Sequence, residues 1–368
     1  MKLVGIDVGK NSHHFCIMDK ETGEFNFAPS SFSNNKEGFD FLINSLKPYS
    51  KKSILLGMED TGHYHVALLK FLLSNGYTVA LITPKTTELT RKMEGGITNV
   101  DRFDLYEQRQ LTRHHHNLKE ELNIYCNRLQ KSIDLVFPEF NTLFGSKYGI
   151  VCMNLLKTFG SAEAIASTDI RTIRKCFEIK GKGNRISLTP EKLKECAKNS
   201  IGISSEVETI QIKHLASQIM LIKEQIAEID KKIEELSITN NSPILSIPGI
   251  SHFSGTSILA ELGDIGNYSK PSQIIKFAGV APYHYESSQF TAQHTAITKK
   301  GSKYLRKTLY QIILSVINFN PVFKEHYQLK ISQDKGLRFT QGHCIRKLLR
   351  IIYHLLETGQ SFDPALLR

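Results

Sequence analysis

Cys-x-x-Cys pairs are missing from this chain: its six cysteines stand at 16, 126, 152, 176, 196 and 344. Without such pairs there is no signature of a zinc knuckle, and nothing in the spacing suggests a disulfide framework. The thiols are read as reduced, which fits a cytoplasmic protein. No apolar run reaches the roughly 20 residues that a membrane span needs. The N-terminus reads as a strand rather than a secretory leader. Internal repeats and low-complexity tracts are also lacking. Acids are scarce towards the end, where seven Lys/Arg stand against the single acid Glu325 between Gln289 and Ile331.

What is present is a chain of 368 residues, 40% hydrophobic, enough for two or three domains with real cores. Its net charge is +11 and its pI about 9.2, which favours a polyanionic partner such as nucleic acid. The first stretch, Lys2-Leu-Val-Gly-Ile-Asp-Val-Gly9, is an apolar strand with Asp7 at its centre. A carboxylate inside a buried strand needs a cation or a donor. The alternative is a solvent-facing Asp on an edge strand. Gly9-Lys10-Asn11-Ser12 reads as the turn of a hairpin whose second strand is His13–Asp19. A third strand over Glu24–Phe27, a helix over Gly38–Leu46, a strand over Ser53–Gly57, a helix over His65–Asn75 and a strand over Tyr77–Ile82 follow. A hairpin and then β-α-β units predict a mixed sheet with helices packed on it.

Residues 104–136 carry one apolar stripe, Leu111, Leu118, Leu122, Tyr125, Leu129 and Val136, so they read as a long helix ended by Pro138. The loop Lys180-Gly-Lys-Gly-Asn184 reads as a surface turn or a phosphate contact. From Ile212 to Leu236, apolar residues alternate spacings of three and four: a heptad seam. That seam predicts a coiled coil, either pairing with helix 104–136 of the same chain or joining two chains. A polar linker at 237–241 precedes a new domain. The expected partition is 1–117, a helical and coiled-coil region 118–240, and 241–368.

Asp101 and Asp104 are spaced i, i+3 at the start of the long helix, so their carboxylates share one face. They would also serve as cap and first-turn charge. With Asp7 and Glu59 they make four acids in the α/β region. Hard Mg²⁺ prefers carboxylate oxygen, and two such ions about 4 Å apart suit chemistry at phosphorus. The order Asp, Glu, Asp, Asp on a hairpin-led sheet resembles the ribonuclease H-like fold in its RuvC-type form. Gly5-Ile-Asp7-Val-Gly-Lys10, Glu59-Asp-Thr-Gly-His-Tyr64, Asp101-Arg-Phe-Asp104 and Phe137-Pro-Glu-Phe140 are similar to segments of the DEDD transposases, the insertion-sequence enzymes grouped with Piv-type DNA invertases.

In the C-terminal region, Pro248-Gly249 between two apolar segments has the pattern of a helix-hairpin-helix, whose amides can hold a phosphate; a plain helix-helix turn is the other reading. Gly279–Pro282, Ser287-Ser288 and Lys299–Arg306 resemble three further family segments: Gly-x-x-Pro, the Ser-Gly pair and Lys-x-Gly-x-x-x-Leu-Arg. By that resemblance Ser287 is the nucleophile that attacks DNA, although Ser288 stands where the family has glycine. Pro248, Gly249, Lys299, Lys300, Lys303 and Arg306 are the expected nucleic-acid contacts; a solvated basic helix face is the alternative. No histidine is fixed beside Ser287 by spacing, and a serine needs activation to attack. Its activator is expected to be the distant acid cluster, brought across by folding or by a partner subunit.

The resemblance implies a RuvC-like catalytic domain over 1–117, a mostly helical serine-bearing domain over 241–368, and two Mg²⁺ ions on Asp7, Glu59, Asp101 and Asp104. It further implies double-stranded DNA and a structured non-coding RNA as partners, and a bacterial or archaeal cytoplasmic setting. A homo-oligomer through the coiled coil is expected, with no membrane role. Other readings are a RuvC-like junction-resolving nuclease that uses water, and a non-catalytic coiled-coil RNA-binding scaffold. Gly5–Gly9 also resembles a sugar-kinase phosphate loop, but the second loop is missing. Consecutive helical residues diverge, so His114-His-His116 does not form one metal site and is expected at the surface or in contact with nucleic acid. Tyr283 and Tyr285 lack the setting of a tyrosine recombinase. Ile345–Leu356 reads as an amphipathic helix packed on the C-terminal domain.

Overall fold

The computed structural model describes residues 1–60, 64–82, 98–100, 103–145, 147–178, 188–282, 286–287, 290–291, 297–333 and 336–367. Asp101, the loop 180–184, Tyr283, Tyr285 and Ser288 lie outside the described residues, as does the side chain of Ser287.

Six strands form one mixed sheet: β1 Lys2–Asp7, β2 Ser12–Asp19, β3 Phe25–Ser33, β4 Ile54–Glu59, β5 Val79–Ile82 and β6 Thr98–Val100. Their order is β3-β2-β1-β4-β5-β6. The β1-β2-β3 meander is antiparallel, β1-β4-β5 is parallel, and β6 returns antiparallel. Period-two alternation sorts the side chains. Val4, Ile6, Phe15, Ile17, Leu56 and Met58 face inward and share a core with Leu42, Leu46, Leu68, Leu69 and Leu72 of helices Lys36–Leu46 and His65–Ser74. Asn35 caps the first of these helices, accepting from the Gly38 amide at 2.9 Å. The hairpin turn is held by the Asn34 side chain, which donates to the Lys10 carbonyl at 3.0 Å.

The chain divides into two compact units: Met1–Gln110 with Asn240–Arg368, and Leu111–Thr239. In the second unit, Leu129, Ile133 and Val136 of helix Phe103–Val136 share a core with Ile212, Ala216 and Ile219 of helix Glu206–Asn240. His115 Nε2 lies 3.0 Å from Asp230 Oδ1, and the Ile203 amide donates to the Leu135 carbonyl, so the two helices run antiparallel.

Of the eight heptad residues, Ile212, Ile219, Ile222, Ile226, Ile229 and Ile233 are buried within the single chain, and Leu215 and Leu236 are half-buried. The seam is therefore a contact inside the chain, not a face left open for a second copy. Two of the three consecutive histidines also depart from expectation, since His115 and His116 are buried and only His114 is exposed. The Phe137–Phe140 motif anchors this unit. Its two rings are buried 5.5 Å apart, and Glu139 accepts from the Ser200 hydroxyl at 2.6 Å and the Ile201 amide at 3.0 Å.

The C-terminal part of the first unit is helical: His252–Leu262, Pro271–Phe277, Lys303–Phe319, Pro321–Ser332 and Leu337–Thr358. Ile258, Leu309, Ile313, Val316, Ile345, Leu348 and Ile352 form its core. The final amphipathic helix thus packs on this domain, as its pattern predicts.

Candidate active site

β1 and β4 pair in register as Gly5 with Gly57 and Ile6 with Met58. The next residues along the two strands, Asp7 and Glu59, end them side by side. Both line one hollow on the sheet face opposite the helices, together with Gly5, Gly57, His14 and Cys16. Side chains on that face alternate with the core residues, which is why the acids point away from the core.

Asp7 is not mid-strand in a buried run. It is the last residue of β1 and exposed, while Val4, Ile6 and Val8 occupy the buried positions. It therefore carries no burial penalty needing an internal counter-charge. Glu59 is half-buried and belongs to β4 itself.

His14 pairs with Asp7 in the β1–β2 ladder, is exposed, and borders the same hollow. Sequence reasoning misses it, although the hairpin register is the available signal. Its neighbour His13 points the other way, fully buried beside Phe32 and Phe39, with ring centroids at 5.1 and 6.1 Å. Burial pushes that imidazole below its usual value.

Asp104 is exposed in the first turn of helix Phe103–Val136. Tyr106, two residues on, stands edge-on to His65 at 6.3 Å, and His65 Nε2 lies 3.4 Å from Asp60 Oδ1. These contacts tie the start of the helix to the segment just beyond Glu59. Asp7 and Asp104 are exposed and Glu59 half-buried, and all three carry hard oxygen donors, a donor chemistry that fits a divalent cation. Among the described residues, no group of three His, Cys, Asp or Glu is assembled as a metal site.

In the C-terminal domain, Glu286–Ser287 pairs with Phe290–Thr291 as a small antiparallel hairpin, so Ser287 stands at its tip. Its base is closed by the Pro282–Ile297 bridge and by the amides of Thr298 and Lys299, which donate to Ala281 and Gly279. Arg306 turns inward. Its Nη1 donates to the Ala278 and Lys299 carbonyls, both at 3.3 Å, clamping that base. Lys299, Lys300 and Lys303 are exposed beside it. Gly301, at φ 118°, is needed because a Cβ there would lie 2.1 Å from the Phe277 carbonyl oxygen.

Pro248 is exposed, and Gly249, at φ 95°, sits where a Cβ would come 2.6 Å from the Val316 amide nitrogen. That glycine lets the turn pack on helix Lys303–Phe319. No helix among the described residues is long and apolar enough to cross a membrane.

Two family models match the chain. Residues 4–106 match a DEDD transposase model of the IS110 type, and residues 241–328 match the transposase family IS116/IS110/IS902. Along its length the chain is similar to the pilin gene-inverting proteins of Moraxella lacunata and Moraxella bovis. Each is 23% identical over 364 residues, spanning 98% of this chain and 97% of the relative. It is also similar to an uncharacterized 44.8 kDa protein of insertion element IS116 from Streptomyces clavuligerus, 20% identical over 392 residues, or 98% and 96% of the two chains.

Proposed function

The chain belongs to the IS110-type DEDD transposases and is a DNA transposase or site-specific recombinase, and on that premise we propose that it exchanges DNA strands through a covalent serine link. The observation that carries this reading is the pair Asp7 and Glu59, ending adjacent parallel strands in one open hollow. In this reading the N-terminal sheet, with its helices, is a RuvC-type ribonuclease H-like domain over 1–117. Residues 118–240 are the helical middle, and 241–368 deliver the serine.

A DEDD domain implies a divalent metal in general terms. Asp7, Glu59, Asp101 and Asp104 would hold it, as two Mg²⁺ ions, and its chemistry is charge stabilisation at the scissile phosphate. The rest falls to the chain itself. In this reading the attacking group is the Ser287 hydroxyl. The serine oxygen forms a bond to phosphorus as the bond to one deoxyribose oxygen breaks. The hydroxyl proton leaves to a neighbouring base or to water, and the departing sugar oxygen takes one up. A phosphodiester replaces a phosphodiester, so a second DNA hydroxyl can reverse the step and rejoin the strands. Exposed Lys299, Lys300 and Lys303 contact backbone phosphates, and in the Pro248-Gly249 turn the Gly249 amide is the donor for one more. Arg306 acts by shaping the hairpin base.

The partners in this reading are the element ends and target as double-stranded DNA, and a structured non-coding RNA that pairs with both. The protein works in the cytoplasm as a homo-oligomer, whose contact lies elsewhere than the heptad seam. The test is trapping. Protein incubated with matched DNA ends and the RNA of the flanking region should form a denaturation-resistant DNA adduct, absent in Ser287→Ala. Cleavage without any adduct would favour a nuclease that uses water.

A further inference from the structure

Arg109 lies five residues after Asp104 on helix Phe103–Val136. Its Nε donates to the Ala260 carbonyl at 2.7 Å, a bond that spans 151 residues of chain. Ala260 is fully buried in the last turn of helix His252–Leu262. Carbonyls in that turn have no donor within the helix, and a cation there also complements the helix dipole. Tyr268 serves the same turn, donating its hydroxyl to the Leu262 carbonyl at 2.9 Å.

From this turn the bonds continue. Glu261 is 1% exposed and accepts the Ser302 hydroxyl at 2.6 Å. Ser302 caps helix Lys303–Phe319 through the Leu305 amide at 3.0 Å, and its own amide donates to Phe277 at 2.8 Å. The amides of Lys299 and Thr298, three and four residues before Ser302, close the base of the Ser287 hairpin. Polar contacts joined by short stretches of backbone, Ala260–Glu261 and Lys299–Ser302, thus lead from the helix of Asp104 to the hairpin of Ser287.

We propose that Arg109 is a positioning residue for strand exchange. It fixes the last turn of His252–Leu262 on the helix that carries Asp104, and so sets the direction in which the Ser287 hairpin is aimed. This rests on the reading of Ser287 and the acids as parts of one reaction site. It holds whether the acids facing the serine belong to the same chain or to a second copy, because the hairpin is aimed from its own helix in both cases. Arginine is well suited here, since its planar guanidinium directs Nε at one carbonyl while keeping the charge, and a lysine keeps only the charge.

The experiment uses full-length Arg109→Ala, Arg109→Lys and Ser287→Ala with matched DNA ends and the flanking RNA. DNA affinity, single-turnover cleavage at saturating DNA, and hydrogen exchange of the 252–262 amides are measured. Arg109→Ala should bind DNA within about twofold of the parent and cleave at least tenfold more slowly, a factor equivalent to about 1.4 kcal/mol. Arg109→Lys should recover part of the rate, and exchange in the last turn should rise in proportion to the loss. If Arg109→Ala does not fold, the lysine variant alone decides, through reduced cleavage at unchanged affinity.

Parent-like cleavage by Arg109→Ala, or a loss matched by an equal loss of DNA affinity, overturns the proposal. Ser287→Ala separates the two readings. If it still cleaves, the serine assignment fails and the aiming of its hairpin by Arg109 fails with it. If it is inactive while Arg109→Ala is normal, the positioning role fails alone.

Discussion

Replacing Ile229 with Ala tests whether the heptad seam is an internal contact. Ile229 is 8% exposed within one chain, between Ile222 and Ile233 at 6% and 1%. The change removes three carbon atoms. At about 0.8 kcal/mol per buried methylene, transfer alone gives roughly 2.4 kcal/mol. Incomplete collapse of the cavity brings the cost to about 3 kcal/mol, within the usual 2–5 for Ile→Ala. With a urea slope of about 2 kcal/mol per molar, the midpoint of the Leu111–Thr239 unit should fall by roughly 1.5 M.

Far-UV circular dichroism at two protein concentrations about twentyfold apart is the assay. With the seam internal, Ile229→Ala lowers the midpoint and leaves its dependence on concentration as in the parent, whereas a seam between chains dissociates in the variant and removes that dependence. A concentration dependence that the parent shows and the variant loses, or an Ile229→Ala midpoint that does not move, would refute the reasoning.

Ser287→Ala should abolish the DNA adduct while Ser288→Ala retains it, as read on denaturing gels; adduct formation by Ser287→Ala would transfer the role to another hydroxyl. Gly249→Ala combines a left-handed φ of 95° with a Cβ 2.6 Å from the Val316 nitrogen, so it should destabilise the C-terminal domain by about 2–4 kcal/mol. A differential scan that leaves its melting temperature unchanged would show that the turn moves freely off helix Lys303–Phe319.

Local periodicity makes the hairpin, the parallel strands and both long helices legible, because each buries one face. It also locates the acids, since Asp7 and Glu59 interrupt apolar runs. What periodicity reports is that a face is covered, not by what. The isoleucine seam reads alike whether its partner is the same chain or another, and only tertiary packing chooses. Element ends carry little signal either, so Asp7 reads as mid-strand when it closes β1. Strand Thr98–Val100 is too short to show alternation and merges in the sequence with the start of the helix. The Arg109 bond to Ala260 crosses 151 residues and leaves no trace in local pattern. The geometry that sends His115 and His116 outward assumes a single covered face, whereas both are buried there.

The exposure of Asp7 sets how the site should meet DNA. Two like charges 4 Å apart in water repel by only about 1 kcal/mol, so carboxylates that end neighbouring strands are tolerated where solvent reaches them. An arriving phosphate adds a third negative charge and displaces water. At an effective dielectric of about 20, each phosphate–carboxylate pair at 4 Å then costs roughly 4 kcal/mol. A divalent cation between them reverses the sign, so DNA affinity at this site should depend on it. Asp7→Asn keeps the side-chain volume and removes one repulsive partner. As a surface change it should alter stability by less than about 0.5 kcal/mol.

The variant should lose strand cleavage in Mg²⁺, yet bind the scissile region in EDTA more tightly than the parent does. The measurement is DNA affinity by fluorescence anisotropy, with and without chelator, for both proteins. The parent should weaken on chelation and the variant should weaken less. If chelation leaves the parent unchanged, or weakens Asp7→Asn by the same factor, then Asp7 does not face the phosphate and the hollow beside Glu59 is not where DNA is cut.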